Sequence, residues 1–96
     1  MFAPTCSRRV VVSRANGLHV RPCMAIASAV TNSHWQVEVR HGEKTANAGS
    51  ILELMLLGAG QGAELILASS GPDGERALDA LVALFGNNFG LPADDG

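Results

Sequence analysis

The segment Asn16-Gly17-Leu18-His19-Val20-Arg21-Pro22 puts an imidazole, a guanidinium and a proline within four consecutive residues. A neutral imidazole nitrogen is a good nucleophile near neutral pH and a tolerable leaving group. Pro22 has no N–H and fits only the first turn of a helix, so a helix must begin near His19. The start of a helix offers N–H groups with no intrahelical acceptor and the positive end of the backbone dipole, and both attract an anion. His19 is therefore suited to carry a phosphoryl group. Backbone donors are expected from Val20, Arg21 and Cys23, and Arg21 adds a planar fork that matches phosphate oxygens. A helix end of this kind disfavours imidazolium and favours the charged adduct by about 0.3–1 kcal/mol when exposed, and by up to ~2 kcal/mol when partly buried. That tunes a transfer and does not drive it. In-line transfer between two histidines depends on positioning and electrostatics. No metal ligand set and no general base is evident beside His19, so no cofactor is expected.

The elements that must hold this corner follow from pattern. Cys6 to Arg14, centred on Val10-Val11-Val12, reads as a strand, and Asn16-Gly17 as a turn. Pro22 to Thr31 reads as a helix whose Cys23, Ile26, Ala27 and Val30 recur at core-facing spacing, with Val20, Met24 and Ser28 on another face. Trp35 to Arg40 alternates as a half-wet strand. His41-Gly42-Glu43-Lys44 turns the chain into a short strand through Ala46. Ser50 to Leu57 predicts a short helix, opened by the capping box Ser50-Ile51-Leu52-Glu53. Gly58, Gly60 and Gly62 stop it. Glu64 to Ser69 reads as a fourth strand and Pro72 to Phe85 as a longer helix, with Ala77, Leu78, Leu81, Val82, Leu84 and Phe85 on its apolar face. From Asn87 on, the sequence predicts a mobile tail ending in acidic residues. The order is β-α-β-β-α-β-α: an α+β domain in which helices cover one face of a four-stranded sheet. One domain spans 1–96, with its folded core at about 6–86 and the tail at 87–96.

The bulk composition agrees with a folded chain. The 96 residues are 47% apolar and 17% charged, with a net charge of -2. That balance suits a single small core and argues against nucleic-acid binding. Four of the seven basic residues, Arg8, Arg9, Arg14 and Arg21, precede residue 22, which predicts a local positive patch near His19. Cys6 and Cys23 fit neither a zinc pair nor a CxxC motif and read as two buried thiols. The valine run is too short to span a membrane and no secretory leader is visible, so the expectation is a cytoplasmic, soluble protein.

The motif at 16–22, together with Asn47-Ala48-Gly49-Ser50-Ile51, Leu57-Gly58 and Gln61-Gly62, resembles the histidine-containing phosphocarrier (HPr) family of the bacterial phosphoenolpyruvate-dependent sugar phosphotransferase system. The resemblance runs from Cys6 to Phe85. It implies an open-faced β-sandwich with sheet order 1-4-2-3. It also implies that His19 takes a phosphoryl group on Nδ1 from phosphorylated enzyme I and passes it to a histidine on a IIA-type protein, with Arg21 stabilising the phosphate. The implied protein is a relay rather than an independent enzyme, and a monomer. Ser50 matches a serine that an ATP-dependent HPr kinase/phosphorylase modifies in many members. The implied partner surface is Val20, Met24, Ile51, Leu52 and Met55, where adaptable methionines suit several weakly bound partners.

The chain also departs from the family. Ser28, Thr31, Gly49 and Glu53 stand where well-studied members carry basic residues, so its partner should be less acidic. A phosphate on Ser50 would be repelled by Glu53, one turn away. Plainer explanations cover other features. Ser50 explains itself as a helix cap. His34 and His41 read as exposed surface residues, Trp35 as strand packing, and the 58–62 glycines as a helix stop rather than a phosphate loop. Two rival functions remain. One is a regulatory binding module that acts through phosphorylated Ser50. The other is a small phosphate-handling enzyme of the acyl phosphatase kind.

Overall fold

The computed structural model describes residues 4–92. The chain runs β1 (Cys6–Val11), α1 (Val20–Ser33), β2 (Gln36–His41), β3 (Lys44–Asn47), α2 (Ile51–Leu56), β4 (Glu64–Ser70) and α3 (Gly74–Gly86), then a 3-10 turn at Asn88–Gly90. The strands form one antiparallel sheet in the order β1-β4-β2-β3, as the family resemblance implied. The three helices make it an open-faced sandwich.

Strand alternation divides the sheet into a dry and a wet face. Val37 and Val39 are buried, while Gln36 and Arg40 on either side of them are exposed and Glu38 between them is partly so. The central strand β4 contributes Leu65 and Leu67, both fully buried. Pro22, Cys23, Ile26, Ala27 and Val30 form the buried stripe of α1, at the predicted spacing. Burying each Val, Ile or Leu of this kind contributes about 1.5–3 kcal/mol, so α1 is held chiefly by this stripe. It ends where His34 turns left-handed (φ 57°) and the Trp35 N–H reaches the Val30 carbonyl at 3.1 Å, which closes the last turn.

Most element ends shift by one or two residues from expectation, and three differences have a visible cause. β1 stops at Val11 instead of Arg14, because from Val12 the chain pairs with a loop rather than with β4. The Val12 N–H donates to Ala63 O (2.9 Å) and the Gly62 N–H to Val12 O (2.7 Å). α3 begins at Gly74, where a Cβ would lie 2.8 Å from Cys6 Sγ, so the helix starts only where it can approach β1 closely. The largest difference is at the C-terminus. The mobile tail predicted from Asn87 is instead packed through at least Phe89. That ring is buried and meets Phe85 edge-on, with centroids 4.8 Å apart. The remainder of the predicted tail, 93–96, lies outside the described residues. Among the described residues no helix is long and apolar enough to cross a membrane.

Candidate functional site

His19 is the N-cap of α1 (φ -92°, ψ -167°), and its side chain makes no capping hydrogen bond. The loop that presents it is clamped from both ends. The Gly17 N–H donates to Arg14 O (3.0 Å), the Leu18 N–H to Ala59 O (2.8 Å) and the His19 N–H to Gly17 O (3.1 Å). Leu18 is buried and plugs the loop into the core. Gln61 Nε2 adds a bond to Ser13 O at 3.3 Å. The glycine loop at 58–62 is thus the structural support of the histidine loop, and Gly58 and Gly62 take positive φ as a helix stop and turn require.

The His19 ring is half-exposed, yet its Nε2 is buried and has no hydrogen-bond partner among the described residues. Nδ1 is therefore the ring nitrogen that a docking group can reach. α1 then begins with Val20 and Arg21, the helical positions whose N–H groups precede the first intrahelical bond. The Cys23 N–H, expected to join them, is already engaged with the His19 carbonyl at 3.2 Å. It closes the first helical turn, which removes Cys23 from the set of expected backbone donors. Arg21 is exposed beside them.

Cys23 faces the core and its thiol donates weakly to Leu18 O at 3.7 Å. Burial pushes it up from 9.0 to about 11. It stays protonated in the fold and is not a rival nucleophile. The sign follows from linkage: a raised acid stabilises the folded state below pH 9.0, and that contribution is lost as pH rises toward about 11. Cys6, expected to be buried, is only partly so. Alkylation with iodoacetamide at mildly basic pH, read by mass spectrometry, should modify Cys6 and spare Cys23 until the protein is denatured.

The predicted positive patch does not form as expected. Arg8 pairs with Glu75 and Asp79 of α3, and Arg9 with Glu64 across the β1–β4 ladder. Arg14 is buried, with Nη1 donating to Pro92 O at 3.4 Å. These ion pairs formed because β1 runs beside α3 and β4, a neighbour relation that sequence spacing does not encode. Of the four arginines, Arg21 is the one in the first turn of α1, which His19 caps.

The apolar face is present. Val20, Met24, Ile51, Leu52 and Met55 are all exposed, on the adjacent helices α1 and α2. Leu56, also exposed, was missed; its position four residues after Leu52 was the available signal. Ser50 is the N-cap of α2, and its Oγ accepts from the Glu53 N–H at 3.2 Å. The Glu53 carboxylate turns toward β3 and accepts from the Asn47 N–H at 2.9 Å. The capping box thus ties α2 to the preceding strand rather than to the Ser50 N–H. Ser50→Ala should cost about 1 kcal/mol in a urea melt and leave any phosphoryl adduct on His19 intact.

His34 is exposed as expected, whereas His41 is only partly so, because its Nδ1 bonds the Leu57 carbonyl at 2.9 Å. Trp35 packs against the core. Among the described residues no group of three or more His, Cys, Asp or Glu side chains could hold a metal.

Residues 6–87 match the family described as the PTS HPr component phosphorylation site. The chain is 38% identical over 80 residues to DhaM, the phosphoryl donor subunit of the PEP-dependent dihydroxyacetone kinase of Providencia stuartii. That match covers 83% of this chain and only 17% of the relative. It is 38% identical over 74 residues to the phosphocarrier protein HPr of Cupriavidus necator, covering 77% of this chain and 83% of that one. The fold is similar to that of HPr-C-His from Thermoanaerobacter tengcongensis, with a TM-score of 0.84 and 32% identity over 92% of this chain and 99% of the other.

Proposed function

This chain belongs to the HPr family of phosphotransferase-system phosphocarriers, and we propose that His19 Nδ1 is its carrier atom. It takes a phosphoryl group from phosphorylated enzyme I and gives it to a histidine of a IIA-type protein, in sugar transport or its regulation. The Nδ1 lone pair attacks phosphorus as the donor's N–P bond breaks, and that electron pair returns to the donor ring. The second transfer runs the same step in the other direction. Nε2 keeps its proton throughout, so no base is needed. The Val20 and Arg21 N–H groups and the Arg21 guanidinium take up the phosphoryl oxygens. Val20, Met24, Ile51, Leu52 and Met55 supply the shared docking face.

The observation that carries this reading is the placement of one ring: half-exposed, with Nε2 buried, at the N-terminus of a 14-residue helix. The chain should be incubated with labelled phosphoenolpyruvate and its enzyme I. The expected product is a single acid-labile, base-stable adduct that peptide mapping assigns to His19. Catalytic turnover of an acyl phosphate with no stable adduct would favour the phosphatase-like reading instead.

A further inference from the structure

A second histidine sits where a strand face meets the end of a helix. His41 closes β2, and alternation puts it on the helix-covered side of the sheet with Val37 and Val39. That is why a residue read from the sequence as a surface histidine is only partly exposed. Its Nδ1 lies 2.9 Å from the carbonyl oxygen of Leu57, the C-cap of α2. The last carbonyls of a helix have no donor within the helix. α2 has no basic residue in its last turn, and its Leu54 and Met55 carbonyls are closed by the Leu57 and Gly58 N–H groups. For the Leu57 carbonyl a donor comes from another element. A carbonyl oxygen only accepts, so Nδ1 of His41 carries the hydrogen. In the neutral ring the lone pair then lies on Nε2, the reverse of the arrangement proposed for His19.

That bond holds the corner on which the histidine loop rests. Leu57 is buried, and just beyond Gly58 the Ala59 carbonyl accepts the Leu18 N–H at 2.8 Å, immediately before His19. A six-residue helix has little stability of its own. α2 is instead tied to the β2–β3 hairpin at both ends. The Glu53 carboxylate takes the Asn47 N–H at 2.9 Å, and the Leu57 carbonyl takes the His41 ring. The route from His41 to His19 is therefore one side-chain bond, the backbone of Leu57-Gly58-Ala59, and one backbone bond to Leu18.

We propose that His41 is a positioning residue for phosphoryl transfer: by donating from Nδ1 to Leu57 O it fixes the corner after α2 and, through Ala59 O, the loop that aims His19. This rests on the carrier reading of His19. The His41 ring touches no transferred group, and its Nδ1 hydrogen stays in place throughout.

The test uses the full chain. Long-range proton–nitrogen correlation NMR in mildly basic buffer should show neutral His41 protonated on Nδ1 and bare on Nε2; the opposite tautomer overturns the proposal. The variants are His41→Ala, His41→Asn and His41→Gln. The asparagine amide nitrogen takes the place of Nδ1, and that of glutamine takes the place of Nε2. Two quantities are read on each folded variant: the amide proton shift of Leu18, which reports its bond to Ala59 O, and kcat for phosphorylation by saturating phosphorylated enzyme I. Both belong to the folded population, so a general loss of stability moves neither. In His41→Ala and His41→Gln the Leu18 amide should shift upfield and kcat should fall about fivefold, because the nucleophile is less well aimed. His41→Asn should restore both. If the alanine variant does not fold, the asparagine and glutamine pair decides. A wild-type Leu18 shift or wild-type kcat in His41→Gln, or an asparagine variant as impaired as the glutamine one, overturns the proposal and leaves the carrier reading standing. A wild-type chain that takes no phosphoryl group on His19 overturns the carrier reading, and with it the role of His41 in transfer; the tautomer and the Leu18 shift need no donor and are read independently.

Discussion

His19→Ala should lose the acid-labile phosphoryl adduct entirely, a fall of at least about 10³-fold, because the nucleophile itself is removed. Among the described residues no other histidine or buried thiol is placed to inherit the role. The Cys23 thiol is close in sequence but buried, hydrogen-bonded to Leu18 O and kept protonated by burial. His34 lies at the far end of α1, about 20 Å away at 1.5 Å per residue, and caps a left-handed turn. His41 has one ring nitrogen bound to the Leu57 carbonyl. Ser50→Ala should retain the adduct in full, since the hydroxyl acts only on the Glu53 N–H of its own helix. The pair separates the rival readings by labelling and peptide mapping. An adduct that survives His19→Ala and disappears in Ser50→Ala would place the chemistry on the regulatory serine. The alanine variant should also melt close to wild type, because the ring makes no capping bond whose loss would weaken α1.

Sequence periodicity carried the helices, the strands and the carrier histidine for identifiable reasons. A proline three residues after an imidazole fixes a helix start, and strict alternation at Gln36-Val37-Glu38-Val39-Arg40 fixes a strand face. What was not legible depended on contacts between distant segments. Arg8 and Arg9 count toward a positive patch in the sequence, but β1 lies beside α3 and β4, where Glu75, Asp79 and Glu64 take them up. The Cys23 N–H read as a phosphate donor because the helix start was known only to within a residue or two. With His19 fixed as the cap, that N–H falls in the first intrahelical bond. Phe89 sits in a stretch rich in Gly and Asn, past the end of α3 and in a left-handed conformation, so helical spacing does not flag its contact with Phe85. A composition judged by average polarity conceals one aromatic anchor.

Gly17→Ala should destabilise the fold by about 3 kcal/mol or more, through two costs that add at one position. The first is conformational. Gly17 has φ 69°, and an L-residue held there costs roughly 1–2 kcal/mol. The second is steric. A Cβ would lie 2.4 Å from the Ala59 carbonyl oxygen and 2.8 Å from Gly60 Cα. Both are backbone atoms, so no rotamer change relieves the overlap. Moving the 58–62 loop away would break the Leu18 N–H bond to Ala59 O at 2.8 Å, worth about 0.5–1.5 kcal/mol net. Gly58→Ala is the matched control. It has nearly the same backbone strain (φ 65°), yet its Cβ meets nothing within 4 Å. It should cost about 1–2 kcal/mol, so the difference between the two variants in urea melts measures the contact between the loops. On a domain of this size, 3 kcal/mol corresponds to a fall in Tm of about 12–24 °C. The surviving folded Gly17→Ala protein should also accept phosphate more slowly, because the loop that aims His19 is the one displaced. Equal melting of the two variants would mean that the glycine loop does not support the histidine loop, and the carrier ring would have to be held by α1 alone.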